Sequence, residues 1–542
     1  MRAFGIAVAV AATFASNVLA DVDPIVIQGS KFFYKTNGTQ FYIKGVAYQQ
    51  DVGGNGTVSA DTNFIDPLTD VAGCTRDIPL LQELQTNTIR VYAIDVFENH
   101  DSCMQMLQDA GIYVIADLSA PNASINRDTP SWDVDLYDRY TSVIDVMAPY
   151  SNVLGFFAGN EVANNVSNVD AIAFVKAAVR DMKAYIKQKD YRAIGVGYAA
   201  DDDATIRVDL EDYLNCGPSE DSIDFFGYNI YSWCGESSFV TSGYQARTQE
   251  FENYTVPAFF AEYGCNVPEP RLFDETLALY SDNMTGVWSG GIVYEYFQEV
   301  NNYGLVSVNG DTASKLPDFD TLSTQIAKVS PSGTQASAYT PTNTIPRDCP
   351  ATGANWNAVA TPLPPTANEQ LCSCMVANLT CVAKSSVSTT DYSDLFNTAC
   401  SLGNGICDGI AANSTTGQYG AYSVCDPADQ LSWAFNAYYE EQLGQNSANT
   451  DACDFGGNAQ TVTPTAPSGA CATLVSQAGG VAGTGTVTSA PSGTGAISGS
   501  GGSSTTKSAA GAVTVPRFDF GLLTMGVYVA AAALAGAGMI LL

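Results

Sequence analysis

Two glutamates stand where apolar runs end. Glu161 closes Val153-Leu154-Gly155-Phe156-Phe157-Ala158-Gly159-Asn160-Glu161, and Glu262 follows Val256-Pro257-Ala258-Phe259-Phe260-Ala261 and leads into Tyr263-Gly264. A run that is apolar throughout is a strand buried on both faces, and in a closed parallel barrel its C-terminal end opens onto the face where active sites sit. Two carboxyls presented there can divide the work of breaking a glycosidic bond, one protonating the leaving oxygen and the other attacking the anomeric carbon, the layout of a retaining glycosidase. The chain has one histidine, His100, so a Ser-His-Asp triad, a Cys-His pair or a multi-histidine zinc site would hang on a single residue. Either glutamate alone reads more readily as a loop residue, since glutamates are common after strands. Together, with Asn160 before the first and Tyr263-Gly264 after the second, they read as a site.

The elements that must position this pair are legible as eight β-rich runs: 41–48, 88–94, 112–118, 153–157, 193–198, 223–230, 256–260 and 291–297. Amphipathic segments lie between them, clearest in 169–187, where Ile172, Val175, Ala178, Val179 and Met182 share a stripe. Eight strands alternating with helices predict a (β/α)₈ barrel. Glu161 then ends the fourth strand and Glu262 the seventh, on facing sides of the mouth.

Over most of its length the chain resembles the fungal glycolipid-anchored β-1,3-glucanosyltransferases of glycoside hydrolase family seventy-two. The resemblance rests on Ile89-Arg90-Val91-Tyr92, Gly159-Asn160-Glu161, Tyr228-Asn229-Ile230-Tyr231-Ser232-Trp233-Cys234-Gly235, Phe260-Ala261-Glu262-Tyr263-Gly264-Cys265 and Trp288-Ser289-Gly290-Gly291-Ile292-Val293-Tyr294. It implies that Glu161 is the acid/base, needing a raised pKa, and Glu262 the nucleophile, needing an ordinary one. It further implies that Tyr92 and Tyr294 line the substrate site, with Asp202 and Arg207 also binding sugar; the run Asp201-Asp202-Asp203 leaves open which aspartate matches. From their own chemistry, Asn160 suits a hydrogen bond to a sugar 2-hydroxyl, and Tyr231 and Trp233 suit stacking on pyranose faces. No cofactor or metal is implied.

The 14 cysteines are an even count, and in a chain that opens on a secretory leader they read as disulfides. The resemblance implies the pairs Cys74-Cys103, Cys216-Cys349, Cys234-Cys265, Cys372-Cys425, Cys374-Cys471, Cys381-Cys453 and Cys400-Cys407, where spacing alone leaves 105 pairings for the last eight cysteines. Eight Asn-x-Ser/Thr sequons agree with secretion: Asn37, Asn55, Asn122, Asn165, Asn253, Asn283, Asn378 and Asn413. A net charge of −33 repels nucleic acid and anionic lipid and is compatible with neutral polysaccharide.

The expected organisation is a signal peptide over 1–20, a catalytic barrel over 21–329, a connector over 330–369, a cysteine-rich module over 370–471, a Ser/Thr/Gly-rich stalk over 472–510 and an anchor signal over 511–542. The module resembles a small glucan-binding unit, with Trp433, Tyr438 and Tyr439 as stacking candidates. The apolar C-terminal run after small residues fits glycolipid attachment near Ser508, with a tail-anchored helix as the alternative. These features predict a monomer at the cell surface that takes β-1,3-glucan as donor and acceptor. A hydrolase with the same carboxyls, or a wall protein that only binds glucan, are the competing readings.

Overall fold

The computed structural model describes residues 22–50, 64–403 and 405–491. The leader, Asn55, Ser508, the expected anchor signal and the stalk beyond residue 491 lie outside the described residues. Among the described residues no helix is long and apolar enough to cross a membrane.

A three-stranded antiparallel sheet comes first: β1 (Ile25–Gln28), β2 (Lys31–Tyr34) and β3 (Gln40–Phe41). The barrel strands follow as β4 (Ile43–Ala47), β5 (Thr88–Val91), β6 (Tyr113–Asp117), β7 (Val153–Asn160), β8 (Gly195–Ala200), β9 (Phe226–Asn229), β10 (Ala258–Tyr263) and β11 (Trp288–Val293). They pair in parallel in chain order, and β11 closes onto β4 with Gly290 opposite Ile43. Each of the eight expected runs contains or overlaps one of these strands. Helices α1 (Val71–Glu83), α2 (Asp101–Asp109), α3 (Val134–Met147), α4 (Ile172–Gln188), α5 (Arg207–Asn215), α6 (Tyr244–Phe251), α7 (Asp274–Leu279) and α8 (Pro317–Ile326) punctuate them. In α4 the whole expected stripe is buried. A hairpin of β12 (Val306–Asn309) and β13 (Thr312–Lys315) precedes α8.

Side chains fill the barrel. Phe157, Phe225 and Phe259 pack together inside it and meet Ile25, Phe32 and Phe41 of the leading sheet, which plugs one end. The Phe157 and Phe225 rings are 5.3 Å apart and edge-on, a favoured aromatic geometry. Phe225 can occupy the interior because Gly155 and Gly197 carry no side chain; a Cβ at either would run into its ring. Truncating a ring of this kind costs about 3–5 kcal/mol.

The cysteine-rich module is mainly helical, with α9 (Glu369–Ala377), α10 (Tyr392–Ala399), α11 (Pro427–Gln445) and α12 (Ala470–Gln477), and short strands β14 (Cys381–Ala383), β15 (Ala412–Asn413), β16 (Gln418–Tyr419) and β17 (Ala459–Thr461). Asp426 caps α11 by accepting from the Ala428 and Asp429 amides, and Pro427 opens the helix where no amide donor is needed. Four bridges hold this unit, Cys372–Cys425, Cys374–Cys471, Cys381–Cys453 and Cys400–Cys407; the barrel side has Cys74–Cys103, Cys216–Cys349 and Cys234–Cys265. No cysteine is free.

Three expectations are corrected here. The module does not end at 471: Leu474, Val475 and Ala478 belong to its core, and the Trp433 indole donates to the Val481 carbonyl at 2.7 Å. Segment 330–369 is no loose connector, because Trp356 and Ala358 are buried in the barrel's core and Cys349 is bridged to Cys216. Trp433 and Tyr439 are 2% and 6% exposed, so they build the module rather than offering a face to sugar. Tyr438 packs edge-on against Phe455. The module is docked on the barrel through the Val134 amide on the Val424 carbonyl (2.9 Å), and the segment leading into it through Arg180 on the Pro364 carbonyl (2.9 Å) and Thr366 on Asp181 (2.8 Å).

Candidate active site

The two glutamates sit where the barrel's regular pairing breaks. The register between β7 and β8 shifts just before Asn160, and that between β9 and β10 shifts just before Glu262. Irregularities of this kind re-aim side chains at barrel rims. Glu161 adopts φ +48°, a left-handed conformation that a non-glycine residue holds only when its surroundings impose it. Its amide donates to the Ala199 carbonyl (2.8 Å) and its own carbonyl accepts from Arg127 (2.6 Å). Glu262, by contrast, lies within β10 itself and is 8% exposed.

Three donors converge on the Glu262 carboxyl. Tyr92 Oη donates to Oε1 at 2.8 Å, Tyr231 Oη to Oε2 at 2.8 Å, and Arg90 Nη1 to Oε1 at 3.2 Å. Arg90 is fully buried and is held in a bidentate pair with Asp117, Nε at 3.1 Å and Nη2 at 2.9 Å. Its guanidinium lies 4.2 Å from the Tyr92 ring centroid and 4.6 Å from that of Phe157. Arg90 Nη2 also donates to Asn160 Oδ1 (3.0 Å), which accepts a second bond from Asn229 Nδ2 (3.0 Å); the same Asn229 nitrogen donates to Glu161 Oε1 at 2.8 Å. A continuous hydrogen-bonded chain, Glu262–Arg90–Asn160–Asn229–Glu161, therefore joins the two carboxyls. With its oxygen facing Arg90, Asn160 turns its amide nitrogen the other way.

Burial pushes the Glu262 carboxyl up to about 7, with Arg90 acting against the shift, Glu161 reinforcing it and the two tyrosine bonds opposing it. This corrects the expectation of an ordinary pKa, since removing a carboxylate from water costs more than its donors return. Burial and Glu262 itself raise Tyr92 and Tyr231 well above the usual phenol range, so both remain O–H donors. Asp201 is pushed up to about 8 by burial and by the nearby Glu161, Asp203 and Asp202 carboxyls.

The other expected site residues divide. Tyr294 stands edge-on to both Tyr92 and Tyr231 with centroids 6.5 Å away in each case, and Tyr303 completes the aromatic wall at 5.3 Å from Tyr294. Cys234–Cys265 ties the loop after β9 to the one after β10. Trp233 is 7% exposed with its ring against Tyr244, so it forms core behind the wall and is no open stacking platform. Asp202 pairs with Arg207 at 2.9 Å and accepts from Tyr228 Oη at 2.5 Å; neither bonds to a glutamate of the pair. Arg90, Asp117 and Asn229 are missing from the expected set. The signal for the first two was present: a charged residue inside or closing an otherwise apolar strand needs a buried partner. Among the described residues no group of three or more metal-ligating side chains is gathered.

A closed parallel barrel with a donor-clamped carboxyl and a second carboxyl across its mouth defines a carbohydrate-active enzyme of the two-carboxylate type. Residues 14–330 match the profile of glycoside hydrolase family 72, described as Glucanosyltransferase, and residues 379–460 match the X8 domain. A 1,3-beta-glucanosyltransferase of Arthroderma benhamiae is 56% identical over the full length of both chains, and 1,3-beta-glucanosyltransferase gas1 of Schizosaccharomyces pombe is 50% identical over 85% of this chain and 82% of its own. Saccharomyces cerevisiae Gas2p, solved as a mutant in complex with laminaritetraose and laminaripentaose, superposes with a TM-score of 0.71 at 43% identity, covering 78% of this chain and 92% of that one. The chain belongs to the glucanosyltransferases of family 72.

Proposed function

We propose that this chain cleaves β-1,3-glucan internally, holds the fragment as an ester on Glu262, and passes it to the non-reducing end of a second glucan, elongating wall polymer. The observation that carries the reading is the three-donor clamp on Glu262, linked through Arg90, Asn160 and Asn229 to Glu161. In the first step Glu262 attacks the anomeric carbon while Glu161 protonates the departing oxygen. In the second, Glu161 takes a proton from the acceptor hydroxyl, which displaces Glu262 with net retention. The Asn160 amide nitrogen serves the sugar's 2-hydroxyl, where bonding strengthens at the transition state.

Water is an equally competent acceptor for the same base, so transfer requires a bound sugar hydroxyl at high effective concentration. Tyr231, Tyr294 and Tyr303 supply the aromatic wall for it. With a reduced laminari-oligosaccharide as substrate, products longer than the starting chain should appear early beside the released fragment. New reducing ends with only shorter products, at every substrate concentration, would make the chain a hydrolase. The same reading places the mature protein on the outer leaflet through a glycolipid near Ser508, acting as a monomer. Release by a phosphatidylinositol-specific phospholipase supports it, and retention of Leu542 in the mature chain rules it out.

A further inference from the structure

The transfer chemistry leaves one built feature unused, a groove of about 420 Å³ between the barrel's rim and the module. Thr129 and Pro130 of the loop after β6 and Asp170 and Phe174 around the start of α4 form one wall; Ala412, Asn413, Ser414 and Thr415 form the other. The volume falls in the range of small-molecule sites. Its lining pairs hydroxyls and a carboxylate, suited to sugar hydroxyls, with the apolar Pro130 and Phe174, suited to the C–H face of a pyranose. Both walls are fixed: the Ser414 carbonyl accepts from the Val359 amide at 3.0 Å, and Tyr419 meets Phe174 edge-on at 6.2 Å.

Asn413-Ser414-Thr415 is also an acceptor sequence for N-glycosylation. Asn413 is exposed at the turn joining β15 to β16. Its Oδ1 accepts from the Thr415 amide (3.0 Å), the Thr415 hydroxyl (2.7 Å) and the Thr416 amide (3.2 Å). The carbonyl half of the side chain is thus committed to the turn, and Nδ2, the atom that glycosylation modifies, faces away from it. None of the other described sequons lines the groove.

We propose that Asn413 carries an N-linked glycan whose first residues occupy this groove, so that sugar as well as protein joins module to barrel. In the step that installs it, Nδ2 attacks C1 of the first sugar of a lipid-linked oligosaccharide pyrophosphate. The N–C1 bond forms, the C1–O bond to phosphate breaks, an amide proton goes to a base, and the lipid pyrophosphate leaves. The proposal rests on the secretory reading above, because that donor belongs to the secretory lumen.

The test uses the full chain secreted from a glycosylating eukaryotic host. Glycopeptide mass spectrometry should find Asn413 occupied. Amidase release of the glycan from the native protein should be at least about tenfold slower at Asn413 than at the exposed Asn37 and Asn283, with the difference abolished by unfolding. Asn413→Gln and Thr415→Ala should both speed amide exchange severalfold in 412–419 and in 129–133, on the two sides of the groove. Asn413 unmodified while Asn37 and Asn283 are occupied overturns the proposal, as does native release at equal rates or exchange unchanged in both variants. A chain unmodified at all three sites overturns the secretory reading together with it.

Discussion

The two carboxyls of the site are held in opposite ways. Glu262 is in a strand, buried, and gripped by Arg90, Tyr92 and Tyr231; Glu161 is one residue past a strand, more open, in a left-handed backbone conformation, with one side-chain donor, Asn229. Three donors aimed at one carboxyl favour its ionised, acceptor-only form and fix its direction of attack. A more open carboxyl with a single partner can give up and retake a proton as sugars come and go. The difference fits the proposed roles, the clamped group as nucleophile and the open one as acid/base.

The largest expected effect breaks the pair apart. Glu262→Gln should abolish turnover on glucan and activated donors alike, beyond the about 10²–10⁴-fold that general acid catalysis contributes. Glu161→Gln should lose about 10²–10⁴-fold on glucan, yet keep formation of the covalent intermediate on a donor whose leaving group needs no proton. Equal losses on both donors would erase the distinction; pre-steady-state release of the leaving group measures it.

Removing one donor at a time sharpens it further. Tyr92→Phe and Tyr231→Phe each delete a bond to the ionised form of Glu262, so the carboxyl, already pushed up to about 7 by burial, rises and the acid limb of kcat/KM moves to higher pH. A bond to a charged group is worth about 1.5–3 kcal/mol, so about 10- to 100-fold in rate at neutral pH is expected. Asn229→Ala touches the other end of the chain and should lower kcat while leaving the acid limb in place. A shift of the same size in all three variants would mean that the donors act on the site as a whole.

The smallest effect comes from carboxyls with like charges around them in place of donors. Where α3 meets the module, burial together with Asp133, Asp426, Asp138 and Glu369 pushes Asp135 up to about 6, and burial with Asp426, Glu369 and Asp135 pushes Asp429 up to about 7. Both folded values lie above the unfolded value near 4. The stability they contribute is therefore full below about pH 4 and is lost as pH rises through about 6 to 7. The thermal midpoint should fall across that window, and Asp429→Asn should flatten the fall; a midpoint that rises there contradicts it.

How much of this was legible in the sequence follows the physics of each part. The barrel strands were, because burial on both faces leaves uninterrupted apolar runs such as 153–158. The leading sheet was not, since Lys31–Tyr34 is too short for its pattern to speak and earns its place only by plugging a barrel already formed. Glu161 and Glu262 stood out against apolar runs, but their relay did not: Arg90 finds Asp117, Asn160 and Glu262 only when β5, β6, β7 and β10 share one barrel. Trp233 misled because an aromatic after a strand looks the same in sequence whether its ring faces sugar or, as here, Tyr244. The module's aromatics misled likewise, because bridges and a small core recruit Trp433 and Tyr439 inward.

The division of labour between the carboxyls is tested most directly by trapping the intermediate. Glu161→Gln should be incubated with a laminari-oligosaccharide donor bearing a fluoride leaving group and digested with protease, and the sugar-bearing peptide sequenced by mass spectrometry. The account predicts a glycosyl ester on Glu262 that persists when a laminari-oligosaccharide acceptor is added, because the base for the acceptor hydroxyl is missing, and that azide, which needs no base, discharges. A label on another residue, or turnover with inversion and no labelled peptide, would contradict it.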